Sequence, residues 1–151
     1  MKKKRIEPIA ADTLNKCDVL VIGGGPAGAT CATLLAKKGF HVIMTEKEQH
    51  PRFHIGESLL PSNMPLLEHL GVSKEVKEIG ILKLGIEFNS PDHDDVSHIE
   101  FTDSWDKDLF WAYQVRRSEF DRILFRNAEN AGVETFENCR IQDVQFSDKE
   151  F

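Results

Sequence analysis

Six consecutive residues, Gly23-Gly24-Gly25-Pro26-Ala27-Gly28, lie directly between an apolar run and an alanine-rich stretch, and no other feature restricts the fold of this chain as much. The run before them, Cys17-Asp18-Val19-Leu20-Val21-Ile22, is short and nearly continuously apolar, as expected of a strand buried on both faces in a parallel sheet. The stretch after them reads as a helix over 26–38. Pro26 suits a first helical turn, where its missing N–H costs nothing. Ala27, Ala29, Ala32 and Ala36 keep the helix narrow, Leu34 and Leu35 add bulk, and Gly39 ends it. His41-Val42-Ile43-Met44-Thr45 forms a second strand, closing at Glu46. Strand, helix and strand make a βαβ unit of about 30 residues, whose right-handed crossover sets the two strands parallel and adjacent.

That context gives the G-x-G-x-x-G pattern its meaning. Gly23 permits the tight turn, Gly25 lets the backbone approach a diphosphate, and Gly28 lets the helix pack on the strand. The start of the helix, at Pro26 and Ala27, then turns free N–H groups and a positive dipole end toward two negative charges. Glu46 follows Gly23 by 46 − 23 = 23 residues, near the spacing of about 20 at which a carboxylate takes a ribose hydroxyl. A dinucleotide site is expected, and spacing alone leaves FAD and NAD both open. The alternative is a structural glycine turn with a surface glutamate.

Beyond Glu46 the chain is less regular. Lys47 to Ser62 is polar, carries two prolines and reads as a long loop of the kind that often serves function. Asn63–Leu70 is expected as a short helix with Leu66, Leu67 and Leu70 on one side and Gly71 stopping it. Ile81–Phe88 alternates as one strand with Leu82, Leu84, Ile86 and Phe88 on a shared face. Strands near 98–102 and 109–115 would complete an antiparallel patch. Ser118 is a candidate cap for a helix running to Ala131, with Phe120, Ile123, Leu124 and Ala128 at helical spacing. Gly132 ends it, Val133–Phe136 is expected to rejoin the parallel sheet, and Ile141–Phe146 alternates as a further strand opening a hairpin.

Composition narrows the function classes. The net charge of −6 leaves no basic face, which argues against nucleic acid; the one cationic cluster, Lys2-Lys3-Lys4-Arg5, reads as part of a disordered lead over residues 1–16. No apolar run approaches a membrane span, and the basic start runs into Ile6-Glu7-Pro8 rather than a signal sequence. Cys17, Cys31 and Cys139 are odd in number and scattered. They fit a reducing cytoplasm, each as a small buried hydrophobe, and no metal site is expected from them or from the six histidines. Trp105 and Trp111, with Phe110 and Tyr113, read as packing residues.

Three stretches carry a family resemblance: CDVLVIGGGPAGATCATLLAKKG, PRFHIGESLLPS and YQVRRSEFDRILFRNAENAGV. Together they resemble the flavin-dependent halogenases, within the wider group of aromatic hydroxylases and geranylgeranyl reductases. The first and third are shared across that group. The second, with Ile55-Gly56-Glu57-Ser58 followed by Leu-Leu-Pro, is most similar to halogenases, whereas reductase relatives carry a cysteine-glycine pair there. The resemblance implies an α/β fold, a Rossmann-like FAD/NAD(P)-binding domain over 17–151 with a small antiparallel sheet added. It implies FAD as cofactor, received as FADH2 from a separate flavin reductase. The implied cofactor-binding residues are Gly23, Gly25, Pro26, Ala27, Gly28, Glu46 and Lys47, then Arg52, Gly56 and Ser58 in the loop. Arg117 joins them from the R-x-x-F-D pattern that ends at Phe120-Asp121.

The same resemblance implies the chemistry. Reduced FAD, oxygen and chloride or bromide yield hypohalous acid, which a lysine directs onto an electron-rich aromatic small molecule. Lys83 occupies the matching place, 83 − 56 = 27 residues after Gly56, on the strand face opposite Leu82, Leu84, Ile86 and Phe88. A lysine on the solvent face of that strand is the alternative. The family's W-x-W-x-I-P segment and its second flavin-binding segment do not occur in these residues. The chain is therefore expected to be the N-terminal part of a longer enzyme and inactive alone. Two other readings remain open: an FAD-dependent monooxygenase or geranylgeranyl-reductase-like oxidoreductase, and a non-catalytic nucleotide-binding remnant.

Overall fold

The computed structural model describes residues 16–92 and 95–146; all but the last residue of the lead expected over 1–16, and the turn after Phe146, lie outside the described residues. The chain divides into two compact units, one formed by its two ends (to Arg52 and from Leu124) and one by Phe53–Ile123.

The first unit holds the βαβ element. Strand β1 (Val19–Ile22) leads through the glycine loop into helix α1 (Pro26–Lys37), and β2 (Val42–Thr45) lies parallel to β1 with Val19 beside Val42 and Ile22 beside Thr45. The last strand, β7 (Glu134–Phe136), pairs parallel on the other side of β2, giving the order β1-β2-β7. This order explains burial. The central strand β2 is buried at every residue, whereas Leu20 and Ile22 of β1 are 40% and 55% exposed. The apolar run at 17–22 is thus not buried on both faces, because β1 stands at the edge of these three strands. Helix α1 packs on β2, with Ala29 and Ala32 fully buried, as an alanine-lined helix close to a sheet requires.

Helix α4 (Arg117–Asn130) enters this unit at Leu124. Its Phe125 is the largest fully buried side chain among the described residues. Ser118 lies inside the helix and does not cap it. Residues 141–146 form no strand, and Cys31 is exposed while Cys17 and Cys139 are half-buried, so none of the three is a core residue.

In the second unit a short 3-10 turn (Pro61–Asn63) runs into α2 (Met64–Leu70). The buried face of α2 is Met64, Leu67 and Leu70, spaced three residues apart, and Leu66 points outward. Helix α3 (Ser73–Ile79), not anticipated from the sequence, follows; it is mostly charged and buries Val76 alone. The expected strand over 81–88 is two strands in two ribbons. β3 (Ile81–Lys83) pairs antiparallel with β6 (Ala112–Gln114), and β4 (Gly85–Asn89) pairs antiparallel with β5 (Val96–Glu100). Hence the antiparallel addition is two separate two-stranded ribbons. Leu82, Leu84 and Phe88 are all more than half exposed rather than forming one buried face.

Candidate cofactor site

The loop between β1 and α1 is shaped by what its residues lack. Gly23 has φ +109, a conformation that side chains resist. Gly28 sits where a Cβ would stand 1.9 Å from the Gly23 carbonyl oxygen and 3.3 Å from Val21 Cγ1, so only a hydrogen there lets α1 approach the strand this closely. Gly24 rests on the Phe125 ring, 2.7 Å from where its own Cβ would be. Pro26 is the first residue of α1, and its first turn contains no acidic side chain. The N–H groups that open a helix have no intrahelical acceptor, so this end is suited to an anion.

Glu46 lies at the carboxyl end of β2 and is 4% exposed. The Gly24 N–H donates to its Oε2 at 2.9 Å, the Glu48 N–H to Oε1 at 3.0 Å, and Arg52 Nη2 to Oε2 at 3.1 Å. Burial works against the charge, but the donors from Glu48, Arg52 and Gly24 outweigh it and hold the carboxyl below its ordinary range. A carboxylate offers about four acceptor positions, so three donors leave one for a hydroxyl. Arg52, implied as a cofactor-binding residue of the loop, has an 8% exposed side chain, and its Nη2 lies 3.5 Å from where a side chain at Gly25 would begin. A cavity of about 230 Å³ opens beside these groups, lined by Gly23, Glu46, Lys47 and the 139–141 segment, at the carboxyl ends of β1 and β2. Open parallel sheets bind ligands at such ends. The residues present fit a nucleotide diphosphate.

Sequence reasoning missed the supports of this loop. His50 donates its N–H to Glu137 Oε1 at 2.7 Å and sets its Nδ1 2.8 Å from the same oxygen, and its ring lies 4.6 Å from that of Phe125. Phe125 in turn backs Gly24. Glu137 is 87 residues from His50, and no local pattern announces such a pair.

In the second unit, residues 57–59 add to the free edge of β6: Ser58 bridges Gln114, Leu59 N–H donates to the Tyr113 carbonyl at 3.0 Å, and Val115 N–H to that of Glu57 at 2.9 Å. Lys83 pairs with Ala112 in register and reaches past that small side chain. Its Nζ donates to Ser58 Oγ and, at 3.0 Å, to the Leu59 carbonyl, and stands 5.2 Å from the centre of the Phe101 ring. Burial lowers its pKa below the ordinary lysine value. It therefore is not a freely solvated strand lysine. Arg117 is not solvated either. Its Nε and Nη2 fork onto Asp121 at 2.8 and 3.1 Å, and its Nη1 donates to the carbonyls of Ile55 at 2.8 Å and Gly56 at 3.4 Å. Four of its five N–H groups are thus used in holding the 55–56 turn to α4. Trp111 packs edge-on against Tyr113 at 5.2 Å, but Trp105 is fully exposed and packs nothing.

Known proteins share the sequence and fold of this chain. The chain is 40% identical over 134 residues to the flavin-dependent halogenase armH4 of Armillaria mellea, an alignment covering 86% of this chain and 25% of that protein. Its fold matches the myxobacterial chondrochloren halogenase CndH with a TM-score of 0.80 at 38% identity, over 87% of this chain and 31% of that one. A flavoprotein/dehydrogenase from Cytophaga hutchinsonii matches with a TM-score of 0.78, also at 38% identity, over 86% and 32%. The chain spans about a quarter of the length of the curated relatives it matches. The family model for the FAD binding domain matches residues 16–150, nearly the whole length. A side-chain-free loop, the carboxylate after β2 and this match agree: the chain belongs to the FAD binding domain family.

Proposed function

We propose that this chain binds FAD, with the diphosphate on the Gly23–Gly28 loop and the first turn of α1 at Pro26 and Ala27, and with a ribose hydroxyl on Glu46. Lys47 lies beside it. One observation carries the reading. The Arg52 guanidinium is bonded to Glu46 and placed against Gly25, so positive charge for a diphosphate and an acceptor for a sugar meet at a loop that has no side chains to exclude either.

The enzyme carrying this segment is a flavin-dependent halogenase that acts on an electron-rich aromatic small molecule in the cytoplasm. FAD, supplied in reduced form by a separate reductase, provides the electrons with which oxygen converts halide to hypohalous acid. The chain's own part is to place the acceptor of that oxidant. Lys83 donates to Ser58 and Leu59, which fixes the amine and leaves its third position, an N–H when charged or a lone pair when neutral, to hold the oxidant against a ring. Its depressed pKa raises the fraction of neutral amine at a given pH.

Titration of the purified chain with FAD, followed by flavin fluorescence, tests the binding; saturable binding that Glu46→Gln and Arg52→Met weaken is expected, and a chain that takes up no flavin overturns the proposal. For the chemistry, Lys83→Ala in an enzyme carrying this segment together with the remainder of a halogenase should abolish halogenation and keep flavin binding. Unchanged halogenation removes Lys83 from the site. The likeness to a flavoprotein/dehydrogenase favours one other reading, an FAD-dependent monooxygenase or reductase. Oxidation of NADPH by that enzyme without a partner reductase would establish it instead.

A further inference from the structure

A cavity of about 690 Å³ in the second unit is lined by no residue placed above in the flavin or lysine chemistry. Strand alternation explains where it lies. Lys83 and its register partner Ala112 occupy one face of the β3–β6 ribbon, so Leu82 and its partner Tyr113 occupy the other. The cavity is on this second face. Its floor is Tyr113, 8% exposed, with Trp111 packed edge-on against it, and its walls are Leu82, Leu84 and Phe110, each between 44% and 59% exposed. A concave, mostly apolar and aromatic lining of this volume is the form that small-molecule sites take.

Charge selects the occupant. Lys74 and Lys77 stand three residues apart on α3, on one side of the helix, and both line the cavity. Neither ammonium group has a hydrogen bond or ion pair among the described residues. Glu68 of α2 is the sole carboxylate in the lining, so the charges of the wall sum to +1. We infer that this cavity is a binding site for a planar aromatic carboxylate, whose ring lies on Trp111, Tyr113 and the two leucines and whose carboxylate meets Lys74 and Lys77. The site is separate from the proposed flavin and lysine chemistry and needs neither, so its test proceeds without cofactor.

The probe is 2-naphthoate, with 2-naphthamide as its uncharged isostere. Trp105→Phe leaves Trp111 as the only tryptophan and changes a fully exposed residue, so Trp111 emission reports on the cavity wall. Saturable change of that emission with naphthoate is expected, with weaker binding of the amide. Lys74→Gln/Lys77→Gln should weaken naphthoate by roughly threefold to tenfold, the range for two exposed ion pairs, and leave the amide unchanged. Glu68→Gln should preserve or tighten naphthoate binding. All these variants change residues at the surface or rim, so each should fold. The inference is overturned if naphthoate produces no saturable change, if it binds no better than the amide, if the lysine variant binds it undiminished, or if Glu68→Gln weakens it.

Discussion

Replacing Gly28 with alanine sets two effects of opposite sign against each other. Gly28 is the third residue of α1, and glycine within a helix is about 1 kcal/mol less favourable than alanine, so propensity alone predicts a more stable protein. The structure predicts the reverse. The added methyl would stand 1.9 Å from the Gly23 carbonyl oxygen, where carbon and oxygen ordinarily stay about 3.3 Å apart or more. That oxygen is backbone and has no rotamer to change. Relief requires α1 to retreat by nearly the ~1.5 Å rise of one helical residue, lifting it from the strands it packs on. Overpacking of this kind costs about 3 kcal/mol, the upper end of the usual range. Less the propensity gain, the net loss is about 2 kcal/mol, a roughly 30-fold fall in the ratio of folded to unfolded chain. Urea unfolding followed by circular dichroism should show a lower midpoint at unchanged slope. FAD affinity should fall with it, because the retreating helix carries its N–H groups away from the loop. A midpoint equal to or above that of the parent, with FAD binding intact, would refute the steric argument and the cradle built on it.

Other expectations follow from the same geometry. Glu46 has its pKa lowered by its donors, so the stability it contributes is complete above the ordinary carboxylate range and is lost as pH falls through the lower folded value. Glu46→Gln should cost about 2 kcal/mol at neutral pH, because an uncharged amide replaces the carboxylate that accepts from Gly24, Glu48 and Arg52, and should flatten the acid limb of a stability–pH curve; an unaltered limb would contradict this. Arg117→Met strips two charged donors from the fully buried Asp121 and should destabilise by about 3 kcal/mol, with Arg117→Met/Asp121→Asn recovering part of the loss in denaturant titrations. Lys83, with its pKa depressed by burial, should be trinitrophenylated at lower pH than a free lysine side chain, as peptide mapping would reveal. Trp111→Phe leaves Trp105 as sole emitter, and its emission should match that of free tryptophan in water.

Much of this protein was legible in its residue order, and the reason is locality. The turn at Gly23, the start of α1 at Pro26, its stop before Gly39 and the parallel pairing of β1 with β2 all depend on residues fewer than 30 apart, and each followed from steric rules that act within a few bonds. The position of Glu46 at the end of β2 was set by the same local count. Periodicity also placed α4 and β7, although it misjudged the buried side of α2 by one residue.

What failed was whatever depended on partners distant in the chain. Alternation over 81–88 was genuine, but two different strands, β6 and β5, take its two halves, and no periodicity can encode a change of partner at Leu84. The edge exposure of β1 came from the strand order, not from its own sequence. Lys83 and Arg117 each had two possible environments as isolated residues. Tertiary packing alone chose, by carrying Ser58 and Leu59 to Lys83 and the 55–56 turn to Arg117, from 25 and about 60 residues away. A sequence states which groups can bond; only the folded chain, by closing those long loops, determines which of them meet.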